Sequence, residues 1–242
     1  MPEVDYSLPA GIVMGEVRED QVGRYISLTV DPEGPLVHPD PAVRAADLLE
    51  YVDPEDVDAA LRRGAKYMVE GVLDSPQLRS PVETDIEDWL NENRSWYSAS
   101  FRPQLRQGLL DGRYFDMLNP LRDLDGDGIA DAGSTDGDLS IVAWAPTTDT
   151  PRGAEIDLRV TRVSALPSHE YYPLIAIDYT GAWVRVVDVA ERDPGFEALP
   201  FRTNYRVYLA EAGDTWVVHD VEFSWSRIGE ASELPEPWRW LE

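Results

Sequence analysis

The apolar residues of this chain change period partway along it, and that change limits the fold more than any other feature. In the first half they recur at helical spacing. Val57, Ala60, Leu61, Ala65, Met68, Val69 and Val72 lie three and four apart, which predicts an amphipathic helix of about five turns. Asp53 suits its cap, Pro54 its first position, and Glu55 and Asp56 the positive end of its dipole. A short helix opening at Asp40 or Pro41 and running through Leu49 precedes it. Ser80 and Glu83 spell a capping box ahead of Ile86, Trp89 and Leu90. Leu105, Leu109 and Leu110 align over 102–110, and Asp111-Gly112 stops that helix.

In the second half the period is two. Leu139 to Ala145 is rich in β-formers. Ile156, Leu158 and Val160 alternate with Asp157, Arg159 and Thr161. Leu174 to Tyr179 is a short apolar run, and Thr180-Gly181 reads as a hairpin-like connection to Trp183–Val189. Phe201, Thr203, Tyr205, Val207 and Leu209 alternate with polar residues. A turn at Glu211–Asp214 leads to a last strand over Trp216–Trp225. Sequential strands joined by short turns imply an antiparallel sheet. Helices grouped ahead of strands imply an α+β fold, with N-terminal helices packed against a curved, mainly antiparallel sheet of about six strands. The expected organisation has three parts. Residues 1–40 form an N-terminal arm with one strand at Arg24–Val30. Residues 41–228 form a single α+β domain, and 229–242 an irregular tail whose Trp238 and Trp240 tuck onto the body.

The order of helices followed by a meander ending in Gly213, Asp214, Trp216, Val218 and Val221 is similar to the nuclear transport factor 2-like superfamily. The resemblance covers roughly 54–226 and leaves 120–138 without a counterpart. It implies a cone-shaped sheet gripping a helix around a pocket. For some members it implies isomerase, dehydratase or cyclase chemistry; none of their catalytic residues can be placed in this chain.

One motif carries metal chemistry. Asp123-Leu124-Asp125-Gly126-Asp127-Gly128-Ile129-Ala130-Asp131 resembles an EF-hand or dockerin-type calcium loop. Calcium takes hard oxygen ligands, and alternating aspartates turn three carboxylates to the inside of a tight loop. Asp123, Asp125, Asp127 and Asp131 are the expected side-chain ligands, and Ile129 supplies its carbonyl. The twelfth position is Ser134 instead of a bidentate glutamate, which predicts weak affinity. A turn rich in Asp and Gly that binds nothing is the competing reading. Against it, four aspartates within nine residues repel one another unless a cation sits among them.

Catalytic candidates are few. Of the three histidines, His38 and His169 fall in proline-flanked loops. His219, on the last strand, is expected to share a face with Val217, Val221, Phe223 and Trp225. Such a histidine inside a pocket would suit a general base, and a histidine at the edge of the core is the plainer alternative. No Gly-x-Ser-x-Gly elbow, His-x-x-x-His pair or phosphate loop occurs, and Lys66 is the only lysine. There is no cysteine, which excludes disulfides and thiolate chemistry. Trp144, Trp183, Tyr205, Trp216 and Trp225 are expected to serve packing more than ligand contact.

The net charge is −25, opposite in sign to what phosphate backbones or anionic lipid attract. No apolar run reaches 18 residues, so no membrane insertion is expected. Residues 1–5 do not read as a signal peptide. The compartment stays open, cytoplasmic if the chain is complete and extracytoplasmic if a leader has been removed. Three readings follow. The first is a non-enzymatic acidic domain with one structural calcium site, serving as a binding module for a basic protein partner. The second is a small-molecule pocket enzyme using His219, and the third an acidic inhibitor or immunity-type protein.

Overall fold

The computed structural model describes residues 8–20, 23–74, 83–111, 129–130, 139–142, 155–167, 173–189 and 196–227. These form a mixed α+β fold. Strands β1 (Ile12–Asp20) and β2 (Gly23–Val30) make a two-stranded antiparallel sheet. A 3-10 turn over Pro41–Val43 follows, with Asp40 accepting from the Ala42 amide at 2.8 Å. Then come α1 (Leu48–Tyr51), α2 (Pro54–Lys66), α3 (Glu83–Glu92) and α4 (Arg102–Leu110). The remaining strands are β3 (Ile129–Ala130), β4 (Leu139–Val142), β5 (Glu155–Leu166), β6 (Leu174–Val189), β7 (Phe196–Ala212) and β8 (Thr215–Arg227). Every pairing between named strands is antiparallel.

The helical stripe is buried as its spacing requires. Val57, Ala60, Leu61, Ala65, Met68, Val69 and Val72 all lie in one core with Ile175, Ile177, Val207, Leu209 and Val218 of the sheet. Helix α2 lies against β6, β7 and β8. Gly64 makes the closest approach: a Cβ there would fall 2.7 Å from Tyr179 Oη and 2.8 Å from Ile177 Cδ1. Beyond Lys66 the helix widens into a π-helical segment, Tyr67–Leu73, closed by the Asp74 amide donating to the Val69 carbonyl at 2.9 Å. Widening the turn brings Tyr67, Met68, Val69, Gly71, Val72 and Leu73 all into the interior, which a narrower amphipathic stripe would not do. Gly71 leaves room for the Tyr67 ring folded over it, since a Cβ would meet Tyr67 Cδ2 at 2.9 Å.

The larger sheet has six strands and is organised by β6. One edge of β6 pairs with β7 from Ile175 to Asp188. The other edge is shared end to end: β5 takes Leu174–Trp183 and β4 takes Val187–Val189. The outward face carries a charge ladder, Asp178 opposite Arg206 and Arg206 opposite Glu222. Arg206 grips Asp178 with both arms of its guanidinium, Nε–Oδ1 at 2.5 Å and Nη2–Oδ2 at 2.9 Å, which raises the Arg206 pKa.

The structure corrects two expectations. The arm contains two strands, not one. Gly15 interrupts the alternation that would have revealed β1, and the ladder shifts register between Met14 and Val17. A Cβ at Gly15 would lie 2.5 Å from Ser27 Oγ, so a larger residue there would have to turn that hydroxyl aside. Thr180-Gly181 is no hairpin. Both residues sit inside β6, Thr180 between Arg159 and Asn204, Gly181 between Leu158 and Thr203. Gly181 is a glycine within a strand and makes no turn.

Candidate functional site

Where α1 meets α2, the chain turns back over the end of the sheet and leaves a cleft of about 230 Å³. Its walls come from distant parts of the sequence. Leu49, Glu50, Tyr51 and Val52 lead from α1 into Asp53 and Asp56 at the start of α2; Pro173 precedes β6, and Glu211 and Trp216 flank the β7–β8 turn. Pro54 and the first-turn acids Glu55 and Asp56 start α2 here, as the sequence indicates, but the Asp53 side chain makes no capping bond. It is solvent-exposed, as are Glu50 and Glu211. Trp216 is 7% exposed and forms a wall, while Tyr51 is 44% exposed at the rim.

Four carboxylates and two aromatic rings therefore line one concavity, and no Lys, Arg or His stands among its described lining residues. Among the described residues none of the four carboxylates is paired with a cation. Aromatic faces and carboxylates attract the same chemical class, an organic cation. Sequence reasoning marked Trp216 as packing and gave Tyr51, Glu50 and Glu211 no role. Tyr51 and Glu211 lie 160 residues apart in the chain (211 − 51), so no local pattern could have joined them.

His219 stands elsewhere, at an irregularity of β8. Leu209 pairs with Val218 and Tyr208 with Asp220, so His219 is the extra residue of a β-bulge. The bulge shifts the phase of the strand. Val218 is buried before it, and Val221 after it. The expectation that His219 shares an apolar face with Val217 and Val221 assumed an unbroken period of two, and the bulge breaks it. His219 is half-buried, its Nδ1 3.4 Å from Ser98 Oγ and 3.5 Å from Ser100 Oγ.

The segment bearing those serines is fixed from both sides. The Val218 amide donates to the Trp96 carbonyl and the Ser98 amide to the Val218 carbonyl, each at 2.8 Å. Arg63 of α2 lies 4.2 Å over the Trp96 ring and donates to the Ser95 carbonyl at 2.6 Å. Burial lowers the Arg63 pKa, against an upward pull from Glu70. Ser98 Oγ also accepts the Phe101 amide at 3.1 Å, the work of a serine at a helix entrance.

Of the expected calcium ligands, Asp123, Asp125, Asp127 and Asp131 lie outside the described residues. Ile129 is described in its backbone, in β3 opposite Val142. Among the described residues no group of three or more His, Cys, Asp or Glu could hold a metal ion. No helix among them is long and apolar enough to cross a membrane. Tyr205 is buried in the core, its ring 5.0 Å from that of Phe223. The side chains of Trp144, Trp183 and Trp225 fall outside the described ones. Comparisons of the chain with protein-family models, with curated proteins and with solved structures find no match.

Proposed function

We propose that this chain is a non-enzymatic interaction module whose acidic cleft receives an arginine or lysine side chain of a basic protein partner. The observation that carries this reading is the joint lining of one concavity by Tyr51, Trp216 and four carboxylates, with no basic residue among its described lining. Size supports it as well. About 230 Å³ falls below the roughly 300–1,000 Å³ of clefts that enclose whole small molecules, and suits one inserted side chain. A cation about 4 Å from a carboxylate gains roughly 1–4 kcal/mol between bulk-water and surface dielectrics. An aromatic face adds about 0.5–1 kcal/mol. The net charge of −25 steers a basic partner from a distance.

The same proposal takes the sheet as curved around the helical layer in the manner of the nuclear transport factor 2-like fold. It takes the loop with Asp123, Asp125, Asp127, Ile129 and Asp131 as a structural calcium site. A second reading, a pocket enzyme using His219, draws on the two serine hydroxyls beside Nδ1. The acidic-inhibitor reading is a special case of the first, with a basic enzyme as the partner.

The test is a titration with short arginine-rich and lysine-rich peptides, with a glutamate-rich peptide as control, following the Trp216 indole by NMR. Basic peptides shift that resonance and the acidic one does not. The Glu50→Gln/Glu211→Gln double variant binds about tenfold more weakly, a loss of ~1.4 kcal/mol. Equal affinity of the double variant and the parent defeats the proposal.

A further inference from the structure

We infer that the β1–β2 hairpin is held against the π-helical segment by a proton-operated clasp: protonated Asp74 keeps the hairpin docked, and its ionisation loosens it. This inference is independent of the cleft.

Asp74 closes the π-helical segment with its side chain 1% exposed. A carboxylate so enclosed loses the water that would stabilise its charge. What faces it comes from three elements. From β1, Arg18 Nη1 lies 3.3 Å from Asp74 Oδ2, but the Arg18 side chain is 61% exposed, so solvent weakens its pull. From β2, the Leu28 backbone amide offers a further favourable contact. The π-helical segment itself contributes Glu70, a like charge. Glu70 is in turn engaged by Thr29 Oγ1 of β2 at 3.1 Å and by Lys66 Nζ at 3.6 Å, and Arg63 acts on it through space. The hairpin therefore meets the helix through two neighbouring acids, and among the described residues the more deeply enclosed one has a single, exposed cation beside it.

Burial raises the Asp74 carboxyl from 3.8 to about 7; the Leu28 amide and Arg18 pull it down and Glu70 pushes it up. The sign of the linkage follows. Undocking returns Asp74 to water and to its ordinary acidity, so the docked form binds the extra proton. Docking is favoured most fully at pH below the ordinary carboxyl range and weakens as pH rises toward and through about 7.

The experiment is amide hydrogen exchange on the full chain at pH 5.5 and 8, corrected for intrinsic rate and read at Leu28 and across Tyr67–Asp74. Protection in the parent falls on the order of tenfold or more between the two pH values. Asp74→Asn removes that fall and keeps the acid-level protection at both. Arg18→Gln leaves protection at pH 5.5 unchanged and deepens the loss at pH 8. A carbon-13 carboxyl titration of the parent reads Asp74 directly and needs no variant. A midpoint near 7 supports the clasp. A midpoint near 4, pH-independent protection in the parent, or a fall that persists in Asp74→Asn overturns it.

Discussion

Tyr179 is buried completely, and among the described residues its hydroxyl has no hydrogen-bond partner. Burial alone pushes its phenol well up, so the group stays neutral at any ordinary pH. A buried, unsatisfied hydroxyl costs about 1–3 kcal/mol. Tyr179→Phe is therefore expected to leave urea-unfolding stability unchanged or raise it by up to ~1 kcal/mol. Gly64, against which this hydroxyl rests, behaves oppositely. Gly64→Ala places a methyl 2.7 Å from Tyr179 Oη and is expected to lose about 1–3 kcal/mol in the same assay, despite alanine's better helix propensity. Combining Gly64→Ala with Tyr179→Phe recovers part of the loss, because the hydroxyl is the nearest obstacle. Neither residue advertises this contact in the sequence: Gly64 reads as a weak helix position and Tyr179 as one more β-former.

At the scale of elements, legibility depended on whether a segment's period stayed intact. The stripe from Val57 to Val72 could be read because spacing of three and four suits the α-helix that carries most of it, while the widening beyond Lys66, which also buries Tyr67, Gly71 and Leu73, could not. The alternation of Thr203, Tyr205, Val207 and Leu209 could be read because β7 is regular over that stretch. Strand β1 and the phase of β8 could not be read because the backbone is irregular at Gly15 and at the His219 bulge, and the continuity of β6 could not because Thr180-Gly181, regularly paired within the strand, has the composition of a turn. The cleft failed for a different reason. Its walls meet only through the tertiary fold, and charge composition alone predicted a basic partner without a place for it. The turn between β7 and β8 was legible, since Gly213 has φ +64, a conformation that disfavours any residue with a Cβ. Gly213→Ala has open space around its new methyl and is expected to cost about 1 kcal/mol through backbone strain alone. Thermal unfolding measures it.

For the molecule as a whole, the acidic charge and the aspartate loop bear on stability together. The four loop aspartates add to a net charge of −25, and a bound divalent ion would relieve both their local repulsion and part of the global one. Millimolar calcium is expected to raise the melting temperature by several degrees over the same protein in chelator, and Asp125→Ala to abolish the gain. Sodium chloride at matched ionic strength separates general screening from a specific site: an equal rise with sodium defeats the calcium proposal. Arrangement in the chain has a further outcome during synthesis. The apolar side of α2 is covered by β6, β7 and β8, and the last of these ends at Arg227. A ribosome adding about 5–20 residues per second releases Val72 roughly eight to thirty seconds before it completes that strand. For that interval the sheet-facing side of the nascent helix has only earlier elements such as β2 to rest on, so the newborn polypeptide is expected to need shielding until its final third emerges.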